Sequence, residues 1–465
     1  MDKFSKTVLC SLPTAEELKK SLAESENAEV RQHLASLFDT NTFVEVGAYT
    51  KRAFSDFYST EKANELESVI TGYGAIDGKL VFVFAEDASR MGGAIDERHA
   101  KKIADVYALA TKNGVPVIGI FNSKGADIFA GTTSLAAYAR IMKCVSDASG
   151  AVPQIALVTG NCVGSCATIA AMFDFTLKCD DATYYVNNAP KAAKNFAIQY
   201  EGSVAECLGM ARSLISFLPD NSAVGCEVGE CADNLNRILG ELDFGGNASA
   251  IISTVADNGM YFELGGAICP EVSTAFATIG GVKCGVVASS FAENEGRITA
   301  VGARKIARFV SFCDCFSIPV VTLVDSYGIT LDGAEESNLA DALSELAYAY
   351  ATSDNAKVTV IMGHAIGAAF ALMGSKALGA DVVYCLDSSE IGALTAESGV
   401  AFAWDKHITL ETSREELIAE WKMQVSSPVA AASSGEIDDI ISTGELRARI
   451  CSALLMLSAK GQFGF

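Results

Sequence analysis

The chain has 465 residues, half of them hydrophobic, with 40 glycines and a formal net charge of −22. That length exceeds what one hydrophobic core serves and suits two domains of ordinary size. The acidic balance argues against a nucleic-acid partner, because a phosphate backbone selects basic surfaces, but it leaves room for a small phosphorylated ligand held by local cations or helix N-termini. The longest apolar runs are broken by Gly, Asp or Lys short of membrane-spanning length, and the first residues, MDKFSKTVLCSLPTAEELKK, hold no signal-peptide core, so a cytoplasmic protein is expected. The 14 Cys are scattered without CxxC pairs and read as reduced core residues. The four His (His33, His99, His364, His407) show no metal-ligand spacing, and no protein-held metal is expected.

Residues 15–39 carry Leu18, Leu22, Val30, Leu34 and Leu37 at helical spacing. A strand-like Phe43-Val44-Glu45-Val46 follows, and then residues 71–84 read as a hairpin turning at Asp77-Gly78. Met91-Gly92-Gly93-Ala94 precedes a helix over His99 to Lys112, and the strand Val115 to Phe121 runs into Asn122-Ser123-Lys124-Gly125-Ala126. A second strand, Ile155 to Thr159, enters Gly160-Asn161-Cys162-Val163-Gly164-Ser165-Cys166-Ala167, after which small apolar residues suggest a helix. This alternation is that of a layered α/β domain. The stretch from Pro190 to Ala250 reads as helical and polar and as a connection between halves.

The second half repeats the first. Lys102-Ile103-Ala104 matches Lys305-Ile306-Ala307, Pro116-Val117 matches Pro319-Val320, Ser123 matches Ser326 and Gly125 matches Gly328, all at an offset of 203 (305 minus 102). Gly160 and Gly164 match Gly363 and Gly367 at the same offset, so the register holds for over sixty residues. The chain is thus a tandem duplication of one α/β unit, with domains expected at 1–240 and 241–465. At both strand-to-helix junctions the first helical N–H groups lack intrahelical partners and are free to face an anion.

These strings, together with Leu37-Phe38-Asp39, Gly72-Tyr-Gly-Ala-Ile-Asp-Gly78, Ser134-Leu-Ala-Ala-Tyr138, Ala303-Arg-Lys-Ile-Ala-Arg-Phe309 and Met373-Gly-Ser-Lys-x-Leu-Gly-Ala-Asp381, span nearly the whole chain in order. By them the chain resembles the carboxyltransferase subunits of biotin-dependent acyl-CoA carboxylases and decarboxylases (acetyl- and propionyl-CoA carboxylase beta-like, methylmalonyl-CoA decarboxylase alpha-like). The resemblance implies two crotonase-like (ClpP/crotonase) domains, the N-terminal one for acyl-CoA and the C-terminal one for biotin borne on a separate biotin carboxyl carrier protein. It also implies a homo-oligomer, hexameric or dimer-based, and, for a decarboxylase, a membrane subunit as a further partner.

Under the resemblance the hole for the thioester enolate maps onto Gly164 and Ser165, and the hole for the biotin ureido oxygen onto Gly367 and Ala368. Fixed backbone N–H groups suit both charges, so neither a protein nucleophile nor a metal is needed. Gly92, Gly93, Gly125, Ala126, Gly328 and Ala371 map onto the ligand-binding loops and pocket, Ala371 where relatives sense acyl size. Family members usually carry Gly-Gly at both holes; Ser165 and Ala368 keep the donor provided that their φ is negative. Asp127 stands where many members have Arg, and Ala334-Glu335-Glu336 replaces a glycine-rich loop, from which like-charge repulsion of a polyphosphate is expected. Lys124 partly compensates. His364 reads as a structural hydrogen-bonder near the second junction, and Glu397 as a residue that orders its loop. The competing readings are a non-catalytic relative serving as an assembly or regulatory subunit, and a CoA-ester hydrolase or isomerase.

Overall fold

A computed structural model describes residues 14–24, 29–52, 65–188, 196–226, 228–239, 247–266, 268–409 and 412–460. The chain divides into two compact units: residues 1–191 with 201–216, and residues 192–200 with 217–465. Among the described residues, no helix is long and apolar enough to cross a membrane.

In the first unit, helices α1 (Ala15–Glu24) and α2 (Glu29–Leu37) lead to the short strand β1 (Val44–Glu45) and the hairpin β2 (Val69–Ile76) and β3 (Lys79–Glu86). The hairpin closes at Asp77 (φ 48°) and Gly78 (φ 80°), the double positive φ that a two-residue turn needs to follow strand twist. Next come α3 (Glu97–Asn113), β4 (Val117–Ser123), α4 (Thr132–Ala148), β5 (Gln154–Val163), α5 (Ser165–Ala171), β6 (Phe175–Cys179), β7 (Thr183–Tyr185), β8 (Tyr200–Gly202) and α6 (Val204–Phe217). The sheet runs β1-β2-β3-β4-β5-β6-β8, with β7 added to β5, and it is parallel from β3 through β6. Parallel strands covered on both faces read as continuous apolar runs, as β4 and β5 do. Edge-to-face contacts of Phe121 with Phe84 and with Phe173, both 5.5 Å between centroids, fill the core. Gly119 is small because a Cβ there would come within 2.5 Å of the Phe84 ring.

The second unit repeats the plan. It contains α7 (Ala248–Val255), β9 (Tyr261–Leu264), β10 (Val272–Ile279), β11 (Val282–Ser289), α8 (Ala300–Cys315), β12 (Val320–Ser326), α9 (Glu336–Thr352), β13 (Lys357–Ile366) and α10 (Ala368–Leu372). It continues with β14 (Val382–Leu386), β15 (Glu390–Gly392), α11 (Ala396–Gly399), α12 (Arg414–Gln424), α13 (Pro428–Ser433), β16 (Asp439–Ile441) and α14 (Leu446–Leu457). Its sheet order is β16-β14-β13-β12-β11-β10-β9, with β15 added to β13. The repeated Lys is a buried tie from helix to strand. Lys102 Nζ donates to the Val69 carbonyl, and Lys305 Nζ donates to Val272 O at 2.6 Å and Gly265 O at 2.9 Å. Burial pulls the Lys102 ammonium down to about 8.

Two expectations change. The stretch from Pro190 to Ala250 is helical, among its described residues, only in α6 and the start of α7, and α6 buries Cys207, Leu208, Ala211, Leu214 and Ile215, so it is not polar. Part of that stretch, 190–195 and 240–246, lies outside the described residues, as do residues 25–28 of the expected first helix. The central strands also run past Thr159 and Met362, because β7 and β15 pair with their last residues, Asn161 to Val163 and His364 to Ile366.

Three consecutive left-handed residues precede α3 and α8: Met91, Gly92 and Gly93 (φ 51°, 69°, 71°), then Asn294, Glu295 and Gly296 (φ 50°, 54°, 64°). Gly93 and Gly296 are required, since a Cβ would lie 2.4 Å from Asn122 O and 2.1 Å from Asp325 O. Glu295 occupies the place of Gly92 and carries the strain of a left-handed non-glycine residue. Its carboxylate pairs with Arg297 Nε at 3.0 Å, an exposed contact of little net worth. Glu295→Gly is therefore expected to raise the unfolding free energy by about 1 kcal/mol, read as a higher urea midpoint.

Candidate functional site

Both glycine junctions open at the C-terminal ends of the central strands, and they are close copies. Gly164 (φ 63°, ψ −133°) caps α5, and Gly367 (φ 58°, ψ −131°) caps α10. Neither Ser165 nor Ala368 has a positive φ, so a side chain is tolerated there and each N–H is retained. The donor assignment needs correction. The Gly164 N–H is engaged by Tyr185 O at 3.0 Å and the Gly367 N–H by Gly392 O at 2.8 Å, which is how β7 and β15 pin the turns. Ser165 and Ala368 keep their N–H groups without an acceptor among the described residues, so the second residue of each pair supplies the open donor.

Around the first junction the structure assembles Gly92, Gly93, Gly125 and Ala126. Lys124 N–H donates to Gly92 O at 2.9 Å, Ile95 bridges to Ala126, and Gly125 N–H donates to Ser123 Oγ at 3.0 Å. The Tyr138 hydroxyl ties the loop to α5: it lies 3.7 Å from Cys166 Sγ and 3.7 Å from where a Gly125 Cβ would stand. At the second junction Gly367, Ala368 and Ala371 line a cavity of about 580 Å³ together with Phe370, Ile391 and Gly392. Gly328 does not line it; its backbone packs against Ile366 O, 3.3 Å from the place of a Cβ.

Two of the three acids that replace family residues are engaged within the protein. The Asp127 carboxylate is buried against Arg52 Nη2 at 3.1 Å and accepts the Phe129 N–H at 3.0 Å. Glu335 accepts the Ala300 N–H at 2.9 Å, at the positive end of α8. The repulsion expected from the sequence is thus offset internally at Asp127 and Glu335, while Glu336 stays exposed in the first turn of α9. Lys124 is exposed beside Gly92, where a Cβ would meet its stem.

Behind the first junction lies a buried acid–base cluster that sequence reasoning missed. Asn161 N–H donates to Asn122 Oδ1 at 3.0 Å, and Asn122 N–H donates to Glu86 Oε2 at 2.8 Å. Glu86 faces His99 Nε2 at 3.9 Å, and Glu67 faces His99 Nδ1 at 3.7 Å. Burial raises Glu86 to about 8 against the pull of the Asn122 N–H. Burial also works to raise Glu67, but the His99 hydrogen bond and charge, the Ser68 N–H and Arg52 outweigh it and hold the carboxyl at about 2. Burial pushes the Cys166 thiol up to about 12 and Cys162 well above the ordinary thiol range, so neither is a ready nucleophile.

The protonated form of Glu86 contributes stability in full below an unfolded value near 4.5, and that contribution is lost as pH rises through about 8. Glu86→Gln is expected to flatten this fall, so the difference in urea midpoint between variant and wild type should move in the variant's favour as pH rises across that window.

Residues 25–210 and 203–464 each match the model of the carboxyl transferase domain. The chain is 32% identical over 466 residues to methylmalonyl-CoA decarboxylase subunit alpha of Propionigenium modestum, covering 92% of this chain and 90% of that one. It is 32% identical over 465 residues to the mitochondrial propionyl-CoA carboxylase beta chain of Homo sapiens, covering 92% and 85%. Among solved structures, transcarboxylase 12S, a hexameric assembly with methylmalonyl-coenzyme A and methylmalonic acid bound, superimposes with a TM-score of 0.87 at 27% identity over 97% of both chains. The two units are crotonase-like domains in tandem, and the chain belongs to the carboxyl transferase domain family.

Proposed function

We propose that the protein moves a carboxyl group between biotin on a separate carrier protein and the α-carbon of a short acyl-CoA. The single observation that supports this best is the pair of open backbone donors, Ser165 and Ala368, at equivalent left-handed glycine turns in a chain of this family. Exchange at the α-carbon places negative charge on the thioester oxygen, and a pre-aimed N–H stabilises it where it forms. In this reading the N-terminal domain, 1–240, takes the acyl-CoA, with Gly164 shaping the turn that aims the Ser165 N–H and with Gly92, Gly93, Gly125 and Ala126 forming the loop wall. The C-terminal domain, 241–465, takes biotin, with Gly367 and Ala368 at the ureido oxygen, Ala371 on the cavity wall and Gly328 supporting the strand end.

The residues present fit that ring system: the cavity beside Ala368 is about 580 Å³ and lined mainly by Gly, Ala and other apolar side chains, with Ser434 and Glu436 also on its wall, which leaves room for a planar ureido ring and the bent ring fused to it. Biotin supplies the ureido nitrogen that carries the carboxyl group. The chain's own part is to hold both partners and to exclude competing water.

Incubating the purified protein with methylmalonyl-CoA or malonyl-CoA and free biotin should yield biotin-dependent decarboxylation. No turnover and no acyl-CoA binding with any short acyl chain would replace this reading with that of a non-catalytic partner subunit.

A further inference from the structure

At the C-terminal edge of the second sheet, β12 and β13 set a carboxylate and an imidazole side by side. Asp325 Oδ1 accepts the His364 backbone N–H at 2.8 Å and meets the ring Nδ1 at 2.9 Å. The Asp325 side chain is 3% exposed and, ionised, can only accept, so Nδ1 carries the hydrogen of that contact. The ring stacks on Phe291, 4.8 Å between centroids at 24°, and meets Tyr327 edge-on at 4.5 Å. The His364 side chain nonetheless remains 27% exposed, and Nε2 has no partner among the described residues.

The internal duplication separates scaffold from chemistry. At the offset of 203, Asp325 corresponds to Asn122 and His364 to Asn161. In the first unit Asn122 Oδ1 accepts the Asn161 N–H at 3.0 Å, so an amide suffices to join the two strands. The first unit keeps its carboxylate one strand away, at Glu86, where the second has Ser289, whose Oγ accepts the Asp325 N–H at 2.6 Å. The ring and carboxylate of the second unit are thus more than the fold requires. His364 stands three residues before Gly367, on the strand that pairs Ile366 with Gly392, a residue of the cavity wall.

We infer that His364 is a catalytic residue of the second site, its Nε2 moving the proton that carboxyl exchange requires, with Asp325 as its positioning residue; this rests on the carboxyl-transfer reading above. As the nitrogen–carboxyl bond breaks, its electron pair stays on the ureido nitrogen, which takes a proton from Nε2 of the doubly protonated ring. The acyl α-carbon gives up one proton to solvent as its new carbon–carbon bond forms, and solvent restores the proton on Nε2. One hydrogen and one carboxyl group change places, and the reverse direction uses the same steps.

The test compares wild type, His364→Gln and His364→Ala with methylmalonyl-CoA and free biotin, with and without added imidazole, beside a ¹H–¹⁵N spectrum of the histidine rings under biotin titration. His364→Ala should lower kcat by about 100-fold or more, in the range of lost general acid–base catalysis, and imidazole should restore part of it by filling the slot between Phe291 and Tyr327. His364→Gln should remain impaired with imidazole present, because its side chain occupies the slot. In wild type, biotin should shift one ring signal, the one absent from His364→Gln. Active wild type with an unimpaired His364→Ala, a loss in KM alone, a loss that imidazole does not relieve, or a His364 signal indifferent to biotin would each overturn the relay while leaving carboxyl transfer standing. An inactive wild type that binds no acyl-CoA would overturn both.

Discussion

Ser165→Pro is expected to lower turnover of methylmalonyl-CoA by about 100- to 1,000-fold, the usual effect of deleting one oxyanion donor. Proline is well tolerated at the first position of a helix, where its missing N–H has no intrahelical partner, so α5 should persist. Ser165→Ala removes the hydroxyl but keeps the N–H and should stay far closer to wild type. Steady-state kinetics with circular dichroism as a control of folding decides the matter: a folded Ser165→Pro protein with wild-type kcat would end the oxyanion assignment. Gly164→Pro is the poorer test, because its N–H already serves Tyr185 O and its loss would disturb the β5 to β7 edge.

Arg447→Met should be the most damaging single change to the second unit, costing about 3–5 kcal/mol, the range for breaking a buried ion pair on one side. Arg447 is fully buried; its guanidinium meets Asp257 Oδ1 at 2.6 Å and Asp233 Oδ2 at 3.4 Å, and also donates to Val255 O. Asp257 in turn accepts the N–H groups of Gly280 and Gly281 at 2.8 and 2.9 Å, in the tight turn between β10 and β11. Methionine leaves that buried carboxylate with its two glycine N–H donors but without its paired cation. Urea denaturation should show the midpoint fall, and adding Asp257→Asn should recover part of it by removing the stranded charge. Additive losses in the double variant would argue that the two side chains act independently.

Much of the architecture was legible because periodicity and glycine placement report backbone needs directly. Asp77-Gly78 announced its hairpin, and the 203-residue register announced two equivalent units. The site was legible only in outline. Gly164 and Gly367 stood out as small residues at strand ends, but which N–H stays free depends on β7 and β15, three-residue strands with no hydrophobic period to reveal them. The charge loss at Asp127 looked harmful from sequence, since its partner Arg52 lies 75 positions away. Glu86 and His99 were equally invisible: each sits within an ordinary strand or helix pattern, and only strand order brings them together. The substitution of Asn122 by Asp325 and of Asn161 by His364 was present in the register all along, and it was the one signal that could have directed attention to the second sheet's edge.

Gly160 and Gly363 each stand against a side chain of the neighbouring strand. A Cβ at 160 would stand 2.2 Å from Asn122 Oδ1, and one at 363 would stand 2.6 Å from Asp325 Oδ1. Each glycine therefore shares a single parcel of space with the side chain across from it. Such positions are coupled: a larger residue at 363 requires the carboxylate of residue 325 to shift or be lost, and either takes it from its place beside His364. Within a family of sequences, the appearance of alanine or serine at 363 should accompany loss of the acid at 325, which makes a change of one methyl group a historical marker for a change of chemistry.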